Sequence, residues 1–452
     1  MDEPTQNGID REELARVDRI YRERDYDHDQ RYSDTNLVYL HRTQSVERAI
    51  ITALGELNLL SRLPVMRILD FGCGNGRWLS RWLTWGVSPH NMAATDVRPS
   101  ALECAKDHVP QADVRLIDEH GLAYPPNSFD LIYQNVVFTS ILQDEYRQQA
   151  AQQIVAALKP GGVLVWYDFV YNNPNNPDVR KVTCQEFKAL FPGFKTLFYR
   201  RVVLAPPLAK PLISWGAWWL ADVLQTLPWL RTHVVTISMK PMRQSMGDLV
   251  VRDACLEDID GIVAVHLVSF KEFALSKLGR SFLIHLYRCF ITEFHGMCLV
   301  AEREGKVVGF VAGAVHPQRY FRKILWKHGA AFAWHILPGL NRQPGLVWSR
   351  LWMALFYRGE KPPTVAGETT CLLSSMAVDP ALGNSGVGTS LMELFCELAA
   401  LRGMEDVYLT TDEQHNDSVN RFYLGRGFTL IGQVRRAKKR CMNVYQRGLK
   451  KV

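Results

Sequence analysis

The run MRILDFGCGNGRWLSRWL, residues 66–83, constrains the fold more than any other feature. A short apolar segment ends in an acid, Asp70, and passes through Gly72, Gly74 and Gly76 into a helical pattern. Glycines in that position permit a tight turn and let a ligand lie against bare backbone. Around it, helix-like and strand-like segments alternate from about Ser45 to Phe169: SVERAIITALGELNLL, the glycine turn, NMAATDV, RPSALECAKDHV, FDLIYQNVVF, QDEYRQQAAQQIVAAL and VLVWYDFV. Short strands separated by helices of this length imply a parallel sheet with right-handed crossovers.

At 452 residues the chain exceeds what one core organises, about 250–300 residues, so two domains are expected. The first runs over 1–240, a polar Pro- and Gly-containing linker over 241–247, and the second over 248–449. The second half restarts the pattern with a strand DLVVRDA, two helices, and a hairpin MCLVAEREGKVVGFVAGAV turning at Glu304 and Gly305. After a long insert come CLLSSMAV, a second glycine loop, the helix GTSLMELFCELAALRG, DVYLTT and closing elements. The fold class is therefore α/β in two different modules, a doubly wound sheet followed by a mixed one.

A net charge of +7 with 22% charged residues is too diffuse to indicate nucleic acid. The nine cysteines are scattered and never spaced as CxxC, which reads as reduced thiols in a cytoplasmic protein with no metal site. The charged N-terminus has no apolar signal core, and no apolar run reaches the ~18–20 residues of a membrane span.

In the first module, Asp96 ends the strand MAATD 20 residues beyond Gly76 (96 − 76), where a carboxylate can accept from two ribose hydroxyls. The joint arrangement of strand, acid, glycines, helix and second acid resembles the class I S-adenosylmethionine-dependent methyltransferases over roughly 45–240. SFDLIY and ALKPGGVLVW resemble that family's fourth and fifth strand motifs. The resemblance implies a Rossmann-like fold with S-adenosylmethionine as cofactor. It puts Asp70, Gly72, Gly74 and Gly76 about the methionine part of the donor, Asp96 on the ribose and Asp118 near the adenine. The loop has no Lys, Ser or Thr of the phosphate-binding kind, which suits a sulfonium donor. A nicotinamide dinucleotide is the other ligand such a turn serves, and the missing GxGxxG spacing counts against it. Ligands bind outside the carboxyl ends of parallel strands, so Gln134, Asn135, Asp168 and Asn172 are candidates to border the donor and acceptor, with Asp168 as catalytic acid or base. Asn172, Asn173 and Asn176, in YNNPNNPDVR, supply amides suited to a polyhydroxylated acceptor such as a sugar, and the chain is similar to methyltransferases encoded with surface-polysaccharide enzymes.

The second glycine loop, MAVDPALGNSGVGTSLM, resembles the coenzyme A loop of the GNAT acetyltransferases, and NDSVNRFYLGRGF resembles that family's N-x-x-A-x-x-F-Y-x-x-x-G-F helix. The resemblance implies acetyl-CoA as cofactor, contacted by Met376 and Val378 on a bulged strand and by Gly383, Ser385, Gly386, Val387, Gly388, Thr389 and Asn416. Tyr423 would be the general acid near the coenzyme sulfur. Gly383 stands where the family has Arg or Gln, so acetyl-CoA binding is expected to be weakened, with Arg421 or Arg426 as substitutes. Glu368, His316 and Asp412 are candidates for the base that deprotonates an amine acceptor. Together the modules imply a bifunctional enzyme that methylates a hydroxyl or amine and N-acetylates a sugar or glycan precursor. The alternatives are an inert GNAT-like binding domain beside an active methyltransferase, and a tailoring enzyme for an antibiotic-like small molecule. The insert at about 317–363, rich in Trp and Arg, reads either as a helical lid or as an interfacial segment holding the protein to the inner face of a membrane or to a lipid-linked substrate.

Overall fold

A computed structural model describes residues 11–25, 33, 35–118, 121–172, 176–270, 275–336, 362, 364–365, 367, 369–382, 385–436 and 440–450. The chain divides into two compact units, Met1–Pro241 and Met242–Val452.

In the first unit, strands β1 (Ile68–Phe71), β2 (Met92–Asp96), β3 (Asp113–Leu116), β4 (Phe129–Asn135), β5 (Leu158–Phe169), β6 (Lys195–Leu204) and β7 (Arg231–Met239) form one sheet in the order β3-β2-β1-β4-β5-β7-β6. The first five in that order pair in parallel, while β7 runs antiparallel to both β5 and β6. The order reverses beside β1, so the glycine turn that follows β1 sits where a doubly wound sheet leaves a crevice. Helices α1 (Arg11–Asp25), α2 (Leu37–Glu56), α3 (Arg77–Thr84), α4 (Pro99–His108), α5 (Asp144–Ala157) and α6 (Cys184–Leu190) belong to this unit. Helix α2 starts because Asn36 Oδ1 accepts from the Val38 and Tyr39 amides, both at 3.1 Å, and it buries the stripe Val46, Ala49, Ile50, Ala53 and Leu54. The other side of the sheet packs Phe129, Trp166, Phe138 and Phe191 into a core that is almost wholly excluded from water. Between β6 and β7, helices α7 (Pro206–Ser214) and α8 (Trp218–Gln225) carry the Trp-rich stretch.

The second unit holds β8 (Arg243–Met246), β9 (Leu249–Asp253), α9 (Ile259–Ser269), α10 (Arg280–Thr292), β10 (Gly296–Arg303), β11 (Lys306–Val315), α11 (Pro317–Ile336), β12 (Thr370–Val378), α12 (Val387–Leu401), β13 (Asp406–Asp412), α13 (Asp417–Leu424), β14 (Thr429–Arg436) and β15 (Arg440–Gly448). Its eight strands lie in the order β14-β15-β13-β12-β11-β10-β9-β8. The hairpin β10–β11 turns at Glu304 and Gly305, whose φ values of 50° and 75° are those a two-residue hairpin turn requires. The segment expected as a linker departs from that expectation. Arg243–Met246 pairs antiparallel with β9 as an edge strand of the second sheet. Its four side chains are all exposed, so it has no apolar alternation for sequence reading to detect.

Candidate active sites

In the first unit the carboxyl ends of the parallel strands open into a cavity of about 1140 Å³, lined by Gly72, Gly74, Asp96, Asn135, Tyr167 and His233, among others. That volume exceeds the ~300–1,000 Å³ of an ordinary single-ligand pocket, enough for a donor and an acceptor side by side.

Each predicted donor residue has a distinct place. Gly72 (φ 72°) and Gly74 (φ 53°) line the cavity in left-handed backbone. Gly76 (φ 77°) caps α3 behind them, and a Cβ there would come within 2.6 Å of Ala105 Cα on α4. It serves helix–helix approach and not the cavity wall, a correction to its expected role. Asp96 is buried and lines the cavity. Its Oδ2 accepts from the Gly74 amide at 2.9 Å, and its Oδ1 accepts from the Arg98 amide at 3.0 Å and Arg98 Nε at 3.3 Å. Asp70 is buried beneath the turn, and burial, then the nearby Asp96, pushes its carboxyl up to about 8. Its Oδ2 is buried with no hydrogen-bond partner among the described residues; raised this far, the group is a neutral acid at ordinary pH. Unlike Asp96 it does not line the cavity, so it supports the turn from beneath, a correction to its expected place beside the donor.

Three expectations are corrected. Asp118 is exposed and does not line the cavity; Ile117 does. Gln134 is fully buried, donating from Nε2 to Tyr167 O at 3.3 Å and accepting from the Val137 amide at 3.1 Å, so it braces the loop whose Asn135 lines the cavity. Asp168 lies between two cavity-lining residues, Tyr167 and Phe169, and strand alternation turns it to the opposite side of the sheet. There it is fully buried and accepts from the Phe169 amide at 3.1 Å. Burial raises its pKa to about 7 against the opposing pull of Thr139 and that amide. It does not face an acceptor in this cavity. Asn172 and Asn176 do line it, with Asn172 Oδ1 accepting from the Lys181 amide at 2.9 Å and Asn176 Oδ1 from the Asp178 amide at 3.2 Å. Asn173 lies outside the described residues.

Two contributors escaped the sequence reading. Helix α1 lines the cavity with Glu13, Leu14, Val17 and Tyr21. It is tied down by the Leu142 amide on Glu13 Oε1 at 3.0 Å, Arg16 Nη2 on Ser140 O at 2.6 Å, and Tyr21 OH to Ser140 Oγ at 2.9 Å. Tyr21 also lies under the Arg98 guanidinium, 4.7 Å from its ring centroid. The i, i+3, i+7 spacing of Leu14, Val17 and Tyr21 was the available signal. The second is His233, at the start of β7, stacked on Tyr167 with centroids 5.3 Å apart and hydrogen-bonded through Nδ1 to Thr232 Oγ1 at 2.9 Å. Burial, with a smaller push from Arg42, lowers its pKa to about 3, so the imidazole is neutral at ordinary pH.

In the second unit, β12 pairs with β11 through a register shift: Ala312 faces Ser375 while Gly313 faces Leu373. Ser374 is the extra residue of a bulge and is exposed. With β13, β12 pairs only over Thr370–Leu372 and Asp406–Tyr408; beyond these β13 pairs with β15 alone, so the sheet opens at the ends carrying Met376, Val378 and Asp412. Gly386 (φ 80°) caps α12, Val387 is buried, and Ser385 donates to Leu382 O at 2.7 Å. A Cβ on Gly388 would meet nothing closer than Val378 at 3.6 Å. In the first turn of α12, Thr389 Oγ1 accepts from Arg426 Nη2 at 2.9 Å and Nε at 3.2 Å. A guanidinium is thus held at the helix N-terminus, where backbone N–H groups favour an anion. Arg421 donates to its own helix, at Asp417 O. Asn416 caps α13, with Nδ2 bound to Thr411 Oγ1 at 2.6 Å. Tyr423 is buried among Phe422, Phe428 and Tyr445, and burial raises its pKa. Gly383 and Glu368 lie outside the described residues.

Residues 68–162 match the family described as "Methyltransferase domain", and 267–428 match the acetyltransferase (GNAT) family. The chain carries a methyltransferase domain and a GNAT acetyltransferase domain. These families imply S-adenosylmethionine and acetyl-CoA as the donors. The methyltransferase domain is similar to N-methyltransferase gliN of Aspergillus fumigatus, 34% identical over 138 residues, which are 29% of this chain and 47% of that protein. It is also similar to the malonyl-[acyl-carrier protein] O-methyltransferase of Enterobacter lignolyticus, 31% identical over 24% of this chain and 42% of that one. The chain thus spans less than half the length of these curated relatives. Among solved structures, Ard1 from Thermoplasma volcanium matches at 18% identity with a TM-score of 0.30, over 45% of this chain and 99% of that one. An S-adenosylmethionine-dependent methyltransferase from Mesorhizobium loti matches at 17% and 0.31, over 42% and 98%.

Proposed function

We propose that the protein is a bifunctional transferase that methylates a hydroxyl or amine and acetylates an amine, with a sugar or glycan precursor as acceptor. The observation that carries this reading is the pairing of two unlike glycine turns. One is held by a cavity-lining acid, Asp96, and has no phosphate-binding side chain, and the other has a guanidinium at a helix N-terminus beside an opened sheet. S-adenosylmethionine supplies an electrophilic methyl group on a sulfonium. Around it, Asp96 anchors the turn from the cavity wall, and buried Asp70 supports the same turn from beneath. Neutral His233 offers a ring nitrogen to an acceptor hydroxyl, while Asn135, Asn172 and Asn176 offer amides to further hydroxyls. Both N- and O-methyltransferases occur among the named relatives, which supports keeping both acceptor atoms.

Acetyl-CoA supplies a thioester. The bulge at Ser374 frees backbone groups for an extended chain, Arg426 and the α12 N-terminus hold an anion, and Tyr423, kept protonated, can donate to a leaving thiolate. A polysaccharide pathway is favoured by the amide-lined cavity and by solvent-exposed tryptophans suited to a lipid-linked substrate. Trp215, Trp219 and Trp229 are 79%, 69% and 68% exposed, and on α11 Trp326 and Trp334 are 89% and 72% exposed. Among the described residues no helix is long and apolar enough to cross a membrane. The rest of the insert, 337–361, lies outside the described residues.

The test is incubation with methyl-labelled S-adenosylmethionine and acetyl-labelled acetyl-CoA against nucleotide sugars, lipid-linked glycans and an aminoglycoside panel. Label from both donors in a sugar acceptor is expected. Label only in the aminoglycosides would replace the glycan reading with small-molecule tailoring.

A further inference from the structure

The second unit holds a cluster that neither transfer reaction uses. On α10, His285 and Cys289 stand four residues apart, one turn on the same face, and Glu293 follows after a further four at the helix C-terminus. From α11, His328 meets them, and one donor atom from each of His285, Cys289 and His328 lies within 4.8 Å of the others. We propose that these three side chains bind a divalent transition ion of the zinc class, which clasps α10 to α11.

The donor set selects the ion. Two imidazoles and a thiolate suit a borderline-soft cation and exclude the all-oxygen preference of calcium and magnesium. Zn–N and Zn–S lengths of about 2.0–2.1 and 2.3 Å place tetrahedral donors roughly 3.3–3.6 Å apart, so the cluster closes by about 1 Å, a matter of side-chain rotation. The surroundings are those of a metal-bound histidine. Glu293 is buried and its Oε1 accepts from His328 Nε2 at 2.9 Å, which puts the proton on Nε2 and leaves the lone pair on Nδ1. The His285 ring is held edge-on by Phe332 at 4.6 Å and by His328 at 5.3 Å. Cys289 is 1% exposed, which keeps the thiol from bulk oxidants. Lys327 Nζ, at 2.6 Å from Glu293 Oε1, and Lys323 Nζ, at 3.5 Å from Oε2, already balance the carboxylate. Ion binding therefore displaces the Cys289 proton to solvent, and the thiolate supplies the neutralising charge. Three protein ligands leave a fourth position for water, while Glu293 stays on the far side of the His328 ring. The role is structural, because α11 is the first element of the basic, aromatic insert and the ion would fix its start to the GNAT core.

Tag-free full-length protein, stripped with chelator, is titrated with Co²⁺ and then Zn²⁺. One ion per chain is expected, with a thiolate-to-cobalt charge-transfer band and tetrahedral d–d absorption, both bleached by Zn²⁺. Cys289→Ser should abolish the charge-transfer band, and His328→Ala should weaken Co²⁺ binding at least tenfold. A wild-type protein with no charge-transfer band, or a band that survives in Cys289→Ser, overturns the site. Because the buried positions can disturb packing, Lys327→Met at an exposed site is the second arm. Loss of a neighbouring cation should tighten Co²⁺ binding about fivefold, and an unchanged or weaker affinity counts against the proposal.

Discussion

If Arg426 supplies the cation that the second glycine loop lacks, as proposed above, its removal has a calculable effect. Gly383 supplies no side chain to a pyrophosphate, whereas the Arg426 guanidinium reaches the first turn of α12 through two hydrogen bonds to Thr389 Oγ1. It also lies 5.7 Å from the Phe422 ring centroid, which limits its freedom before a ligand arrives. An exposed ion pair is worth up to about 1 kcal/mol, and a charge-assisted hydrogen bond about 1.5–3 kcal/mol. Arg426 is exposed, so about 1–2 kcal/mol is the appropriate range. At 1.4 kcal/mol per decade, Arg426→Ala should weaken acetyl-CoA binding roughly 5- to 30-fold by calorimetric titration, and the deficit should shrink in high salt. Two controls isolate the cause. Arg421→Ala, which removes a side chain bonded to its own helix, should bind as wild type, and acetyl-pantetheine, which lacks the pyrophosphate, should bind Arg426→Ala and wild type equally. Wild-type affinity for acetyl-CoA in Arg426→Ala, or an equal loss for acetyl-pantetheine, would show that Arg426 does not hold the pyrophosphate.

Gly76→Ala combines positive φ with a Cβ 2.6 Å from Ala105 Cα; strain and overpacking sum to about 2–4 kcal/mol, so urea melts of the first unit should move markedly, and an unchanged midpoint contradicts the packing. His233, lowered to about 3 from 6.5, stays unprotonated in the folded state while the unfolded chain takes up a proton. Stability should therefore fall as pH drops from about 6.5 towards 3, and His233→Gln should flatten that slope; a slope indifferent to the substitution removes the assignment. Asp70 runs in the opposite sense: with its folded pKa raised to about 8, its contribution declines as pH rises from about 4 to 8. Tyr423→Phe should lower acetyl transfer by about 10²-fold or more with acetyl-CoA binding retained, and intact turnover across pH would show that the phenol is not the acid.

How far the sequence carried the fold and the sites depended on what each signal encodes. Periodicity and glycine turns located the strands, and the Glu304–Gly305 turn fell where the pair predicted it. Edge strand β8 escaped because all four of its side chains face solvent. At the first site, Gly72, Gly74 and Asp96 were legible because the turn that brings them together is local. Gln134 and Asp168 were not, because whether a strand's last residues face the cavity or the opposite side depends on pleat parity, which a one-residue shift reverses. Helix α1 and His233 reach the cavity only through tertiary contacts. The His285, Cys289 and His328 cluster combines a one-turn spacing with a residue 39 positions further on (328 − 289), a separation no metal motif advertises.

Titration of the full-length protein with S-adenosylmethionine and acetyl-CoA asks whether one chain holds two donor sites of different chemistry. One site for each donor per chain is expected, with Asp96→Ala removing S-adenosylmethionine binding alone and Arg426→Ala weakening acetyl-CoA alone. Undetectable acetyl-CoA binding at millimolar ligand would rule out the second donor site and make the second unit a binding domain without its donor.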